Sequence, residues 1–198
     1  MTAKRRINEI FYSLQGEGRN TGRAAVFIRF AGCNLRCPFC DTDFSAYEEL
    51  TDAEIVSKIT PYDAKFVVLT GGEPTLQVDE GFIDLLHSHG YEVAMETNGT
   101  HTLPSNLDWS TVSPKAAYLL NIPNARPVIT ECDELKCVYD GLTPVNDFGI
   151  KAKYYYLQPC DTGDKVRNAD IMSRCVDFIL CHPRWRLSLQ THKLIGVR

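Results

Sequence analysis

The chain has 198 residues, 44% of them apolar and 23% charged, with a formal net charge of −4. That is ordinary for a folded chain large enough to build one sizeable hydrophobic core, and it excludes a protein drawn globally to nucleic acid or to anionic membranes. The opening "MTAKRR" is basic, but no apolar signal core follows it and no run approaches membrane-spanning length, so the expected location is cytoplasmic.

In chain order, "AAVFIRF" (Ala24 to Phe30) is a β-branched and aromatic run, expected as a buried strand that ends at Gly32. "TDAEIVSKI" opens with Thr51 and carries Glu54 three residues later, a capping box that starts a helix. "AKFVVLTGGEPT" reads as a strand running into a glycine pair. "VDEGFIDLLHSHG" reads as a helix with Phe82, Leu85 and Leu86 on one side and Gly90 as its stop. "YEVAMETNGT" is strand then turn, and "WSTVSPK" is a short strand ending at Pro114. "ITECDELKCVYD" and "AKYYYLQPCD" read as two more strands, "VRNADIMSRCVDFIL" as a helix, and "RWRLSLQTH" as a final strand by its alternation. Strands alternating with helices imply βαβ units around a parallel sheet, in one domain spanning residues 1–198. The polar and glycine-rich sequences sit where these strands end, and parallel sheets build their sites at that rim.

"FAGCNLRCPFCDT" concentrates Cys33, Cys37 and Cys40 in one loop. Without a signal peptide, a disulfide framework is not expected. A structural zinc site calls for four ligands in separated pairs, and no matching pair follows. A thioredoxin-like motif would use Cys37 to Cys40 and leave Cys33 unexplained. Core thiols fit poorly in a loop containing Asn34 and Arg36. Iron–sulfur cubanes are normally held by four thiolates, so three leave one iron open, and an open position on a metal marks chemistry. Cys132, Cys137, Cys160, Cys175 and Cys181 are scattered and read as small core residues; "CDELKC" lacks the further ligand pair that a second metal site needs.

"CNLRCPFC" resembles the CxxxCxxC motif of the radical S-adenosylmethionine family. The resemblance implies an α/β fold, a partial (β/α)6 barrel. It also implies a [4Fe–4S] cluster on the three thiolates, with S-adenosylmethionine chelating the fourth iron. One-electron cleavage then yields a 5′-deoxyadenosyl radical that abstracts a substrate hydrogen. Phe39 would pack near the adenine. "TGGEP" resembles the family's glycine-rich motif, in which Gly72 and Glu73 approach the methionine amino group.

"FYSLQGEG", "CNLRCPFCDT", "LTGGEP", "METNGT", "SPK" and "QTHKLIGVR" occur in the order found in one branch, the 7-carboxy-7-deazaguanine synthase family. That resemblance implies conversion of 6-carboxy-5,6,7,8-tetrahydropterin to 7-carboxy-7-deazaguanine with loss of ammonia, toward queuosine-type 7-deazapurines. It implies a homodimer, Mg2+, and an electron donor such as flavodoxin or ferredoxin, with neither nucleic acid nor membrane as partner. By position, the pterin would meet Leu14, Gln15, Gly16, Glu17, Arg29, Thr70, His192 and the terminal carboxyl group of Arg198. Thr42 would offer its hydroxyl to Mg2+. S-adenosylmethionine would meet Phe39, Cys40, Asp41, Gly72, Glu73, Ser113, Pro114, Lys115 and Gln158. Another radical enzyme, such as a glycyl-radical activase, shares the cluster motif but not "SLQGEG" or the closing "QTHK"; a metal-binding module without catalysis is the other alternative.

On residue type alone, Glu17 also reads as a solvated loop acid, His192 as an exposed strand histidine and Lys115 as a surface lysine, while Thr42 and Ser113 read as caps. Arg29 lies opposite its apolar neighbours, and turned inward it needs an anionic partner. Cys160, in "QPC", stands where another residue would serve, and its contact with the nucleoside stays open.

Overall fold

The computed structural model describes residues 4–40, 43, 46–119 and 122–197. Nine strands form one sheet in the order β3-β1-β2-β4-β5-β6-β7-β8-β9. They are β1 (Lys4–Leu14), β2 (Ala24–Phe30), β3 (Glu48–Thr51), β4 (Phe66–Gly71), β5 (Glu92–Thr97), β6 (Trp109–Val112), β7 (Glu131–Tyr139), β8 (Lys151–Pro159) and β9 (Trp185–Leu187). From β2 through β9 every neighbouring pair is parallel. This is the expected α/β sheet of a partial barrel. Two antiparallel strands that the sequence reading did not foresee extend its first edge, β1 against β2 and β3 against β1. The short stretch between Cys40 and Thr51 therefore carries the edge strand β3.

The crossovers are unequal. Helices α1 (Asp52–Ile59) and α2 (Glu80–Ser88) flank β4, and α3 (Lys165–Cys181) links β8 to β9. The capping box forms as its residues dictate. The Thr51 hydroxyl accepts from the Glu54 backbone N–H, and the Glu54 carboxylate accepts from the Thr51 N–H at 2.7 Å. Asp79 caps α2 by accepting from Phe82 N–H at 2.9 Å.

Alternation along the strands separates two faces. Val26, Ile28 and Phe30 of β2, Val67 and Leu69 of β4, and Val93 and Met95 of β5 pack outward beneath Ile55, Ile59, Phe82, Ile83 and Leu86 of the helices. A second cluster, with Val112, Leu135, Cys137 and Leu157, packs with Cys175 of α3. The opposite face carries Phe11, Ala25, Phe27, Val68 and Ala94 at its base, and polar side chains above them.

The expected final strand is shorter than its alternation suggests. Pairing ends at Leu187 with one further bond, Ser188 N–H to the Leu157 carbonyl at 2.9 Å. The chain then turns, and α4 (Thr191–Ile195) begins where the Thr191 N–H finds the Gly16 carbonyl at 3.0 Å. His192 accordingly stands on a helical turn rather than a strand.

Phe82 anchors α2: it is fully buried, meets Phe30 edge-on at 6.5 Å, and carries the Arg5 guanidinium 4.4 Å above its ring. Phe82→Ala is expected to lower unfolding free energy by about 3–5 kcal/mol, measured by urea denaturation. A loss below ~1 kcal/mol would contradict this packing, since that is the cost of an ordinary substitution.

Candidate active site

The rim of the parallel strands encloses a cavity of about 340 Å³. Its wall gathers most of the residues named from the sequence: Leu14 at the end of β1, and Gln15, Gly16 and Glu17 after it; Arg29 on β2; Cys33, Cys37, Phe39 and Cys40; Thr70 and Gly72; Ser113 and Lys115; Gln158; and His192. Asp41, Thr42 and Arg198 lie outside the described residues. Glu73 and Pro114 are not among the lining residues.

Glu73 lies directly behind the lining, next to Gly72. It is fully buried, and its two carboxylate oxygens accept from Thr75 N–H and hydroxyl, from the Thr97 hydroxyl at 2.6 Å, and from Asn98 N–H at 2.8 Å. Its own N–H donates to the Gly32 carbonyl at 2.9 Å. A buried carboxylate with this many donors is a bracket: it ties the glycine loop after β4 to the turn after β5 and to the residue before Cys33.

Gly72 sits at the tightest point of that bracket. A Cβ added there would collide with the Gly32 carbonyl oxygen. The cysteine loop is thus laid directly on the glycine pair. Cys33 Sγ accepts from Leu35 N–H at 3.4 Å and faces the Asn98 amide at 3.9 Å. Asn98 also donates to Asn34 at 3.0 Å, and Asn34 donates to Thr100 at 2.8 Å. Burial raises the Cys33 and Cys37 thiols above the ordinary value, although Leu35 N–H eases the first and the Lys115 charge the second. Thiolates held there call for additional positive charge, which an iron–sulfur cluster carries. Phe39 lines the cavity beside them and rests edge-on against Tyr118 at 4.8 Å.

Among the described residues no three His, Cys, Asp or Glu side chains are gathered as a single-ion site. Of the cysteines expected in the core, Cys160 instead lines the cavity just after β8 and Cys181 is exposed, while Cys132 and Cys137 take no part. Cys132 and Cys137 are buried among Val112, Leu135 and Leu157, and burial pushes each thiol up to about 12.

The opposite wall is a polar network. Inward alternation places Arg29, Thr70 and Glu96 on neighbouring strands, and Lys136 on β7. Gln15 donates to Glu96 at 3.0 Å, Thr70 donates to Glu96 at 3.3 Å, and Gln190 donates to Glu17 at 3.0 Å. Lys136 Nζ lies 2.5 Å from Glu17 and 3.8 Å from Glu96. Burial alone would raise the Glu17 pKa, but the Lys136 ammonium and hydrogen bonds from Lys136, Gln190 and Gln158 outweigh it and hold it at about 2. Glu17 is therefore an ionised acceptor and not a solvated loop acid. Burial, and next the Lys136 charge, pull Lys115 below the ordinary lysine value; its ammonium donates to the Ser113 hydroxyl at 2.5 Å. The anionic partner that Arg29 requires is Glu9, at 2.8 Å. His192 packs on the bare backbone of Gly16, where any Cβ would strike its ring.

Glu96, Lys136, Asn98 and Gln190 were missed by sequence reasoning. Glu96, Asn98 and Gln190 belong to motifs it quoted, but a charged residue inside a strand, such as Glu96 or Lys136, carries no mark that separates an inner wall from a solvated face.

The sequence pattern of the Radical SAM superfamily matches residues 27–110. Over 98% of its length the chain is 49% identical to the 7-carboxy-7-deazaguanine synthase of Bacteroides thetaiotaomicron, covering 99% of that protein. The chain belongs to the 7-carboxy-7-deazaguanine synthase family. The enzyme of that name from Nitratidesulfovibrio vulgaris is 44% identical, with 97% of this chain and 98% of that one covered. The crystal structure of QueE from Escherichia coli superposes with a TM-score of 0.74 at 28% identity, covering 94% of this chain and 93% of that one. As a radical S-adenosylmethionine enzyme this family member uses a [4Fe–4S] cluster and S-adenosylmethionine, and Mg2+ with them. The residues present fit the cluster and cofactor: three thiols on one cavity wall, backed by N–H donors and a bare-backbone cradle at Gly72.

Two outcomes follow from this geometry. Gly72→Ala should fold, by circular dichroism, yet lose most of its iron after anaerobic reconstitution, whereas Cys132→Ala should keep it; the reverse pattern would contradict the placement of the loops. The Glu17 pKa is lower folded than its ordinary 4.5, so its ion pair stabilises the fold above that pH and the contribution is lost as pH falls toward about 2. The stability deficit of Glu17→Gln against wild type should therefore shrink over that interval in urea titrations, and a constant deficit would count against the ionised pair.

Proposed function

We propose that this chain converts 6-carboxy-5,6,7,8-tetrahydropterin to 7-carboxy-7-deazaguanine with loss of ammonia. The observation that carries this reading is one cavity walled on one side by the cysteine loop and on the other by an ionised glutamate, an amide and an arginine. When bound, the cluster and S-adenosylmethionine supply a one-electron cleavage and hence a carbon radical able to take a hydrogen atom from the pterin.

The chain's own residues bind and orient. Glu17, ionised and held by Lys136, offers acceptor oxygens to the pterin N–H edge, and Gln15 beside it supplies an amide with both donor and acceptor. Arg29 pairs with the substrate carboxylate, sharing its guanidinium with Glu9. Thr70 and His192 complete that wall, and α4 covers Gly16 to limit water from the terminal side. Gly72, Ser113, Lys115 and Phe39, with Gln158 at the border beside Glu17, hold S-adenosylmethionine, and Thr42 serves Mg2+. Glu73 acts one layer behind, by fixing the loops.

The active form is a homodimer fed by a flavodoxin or ferredoxin in the cytoplasm. What supports the dimer is the exposure of Leu142, Val166 and Leu180, each at least three-quarters accessible. No described helix is long and apolar enough to cross a membrane.

Anaerobic incubation of the reconstituted protein with reductant, S-adenosylmethionine and the pterin should yield the deazaguanine mass and free ammonia. Cofactor cleavage with unchanged pterin would overturn the reading in favour of another radical enzyme. Arg29→Met should lower kcat/KM by about 10–100-fold, the loss of one charge-assisted carboxylate contact.

A further inference from the structure

We propose that Lys136 is the positioning residue of the substrate wall, acting through Glu17: its ammonium keeps that carboxylate charged and aimed at the pterin N–H edge. The inference rests on the pterin reading of this cavity. Lys136 reaches the wall from β7, the seventh strand counted from the edge strand β3, and the sequence reading weighed its stretch, "CDELKC", only for its cysteines.

Three observations carry it. First, Lys136 is 7% exposed at its side chain and its Nζ lies 2.5 Å from Glu17 and 3.8 Å from Glu96, so one ammonium serves two carboxylates of the same cavity. Second, Glu17 and Glu96 are otherwise held by neutral side chains: Gln190 and Gln158 on the first, Gln15 and Thr70 on the second. Third, the surroundings supply little other compensation. On its own strand Lys136 has Glu134, a further acid, taken up by the Arg19 N–H at 2.8 Å. From the loop after β6 comes Lys115, engaged with Ser113. From the remaining walls come Arg29, engaged with Glu9; Lys193, engaged with Asp161; and His192, packed on Gly16.

Removing the ammonium leaves two largely buried carboxylates lining one cavity with no cation between them. Like charges so placed retain a proton between them. A protonated Glu17 presents a hydroxyl donor where the pterin also presents donors, and the site loses its best acceptor. Lys136 thus sets the hydrogen-bonding sense of the wall without itself touching the pterin.

The test is equilibrium binding of the carboxytetrahydropterin to anaerobically reconstituted holoenzyme with S-adenosylmethionine present, followed by calorimetry from neutral to alkaline pH. Lys136→Met should weaken pterin binding about 10–100-fold at neutral pH, the equivalent of one charge-assisted hydrogen bond. It should leave S-adenosylmethionine binding and iron content unchanged. Its pterin affinity should recover as pH rises and the shared proton leaves, while wild type stays flat; a merely structural lysine would give no such pH dependence. Glu17→Gln and the double variant Glu17→Gln with Lys136→Met, which buries no unpaired Glu17 charge and so guards against loss of folding, should bind pterin equally. Wild-type affinity in Lys136→Met, or a double variant much weaker than Glu17→Gln, overturns the inference alone. Failure of wild type to bind the pterin overturns the functional reading, and this inference with it.

Discussion

A buried ammonium on β7 fixes the loop against which the C-terminal segment docks. Lys136 binds Glu17, which lies on the loop after β1, and that loop is where the C-terminal segment docks. Gly18 N–H donates to Ser188 at 3.0 Å, Thr191 N–H donates to the Gly16 carbonyl at 3.0 Å, and Gln190 donates to Glu17. Buried ion pairs contribute little net stability, but breaking one by removing a single partner is costly. The pair is therefore best understood as a register device: it allows one position of the first loop against the sheet and so sets the shape of the cavity.

The facing wall depends on a second buried polar side chain in the same way. Glu73 joins the residues before the cysteine loop, the glycine pair and the turn after β5 through hydrogen bonds alone. Both side chains sit a layer behind or beneath the groups that meet ligands. The cavity thus has two halves, one built round the Lys136–Glu17 pair and one round the hydrogen-bonded Glu73 carboxyl group, with the side chains of Arg29, Thr70 and Phe39 lining the space between them.

The rim of the parallel sheet was readable because glycine, proline and cysteine punctuate it: "TGGEP", "ETNG", "SPK" and "QPC" each follow an apolar run, and each lies where a strand stops. The helices were equally plain, since Thr51 and Asp79 are caps of ordinary chemistry. Other features left weaker marks. "KRRINEIFYSL" mixes buried Arg5 with exposed positions and shifts register between Ile7 and Glu9, which blurs the two-residue period of β1. "RWRLSLQTH" alternates like a strand, but tertiary bonds from Gly16 and Gly18 end the pairing at Leu187 and start a helical turn. Lys136 and Glu96 alternate with Leu135, Cys137, Met95 and Thr97, the pattern of a strand with one solvated face. Only the curvature of the sheet makes that face the inside of a pocket. Glu73 carries a second task that its motif does not announce: its carboxylate accepts from Thr75, Thr97 and Asn98 and so ties the loops together.

The central claim is that a single cavity holds the radical-forming cofactor and the pterin on facing walls. The most direct measurement is an anaerobic crystal structure of the reconstituted protein with S-adenosylmethionine and the carboxytetrahydropterin bound. The account predicts the pterin N–H edge on Gln15 and Glu17 with the Lys136 contact intact, its carboxylate on Arg29, and the cofactor between it and Cys33, Cys37 and Cys40. A pterin bound elsewhere, or a cluster on other cysteines, would contradict it.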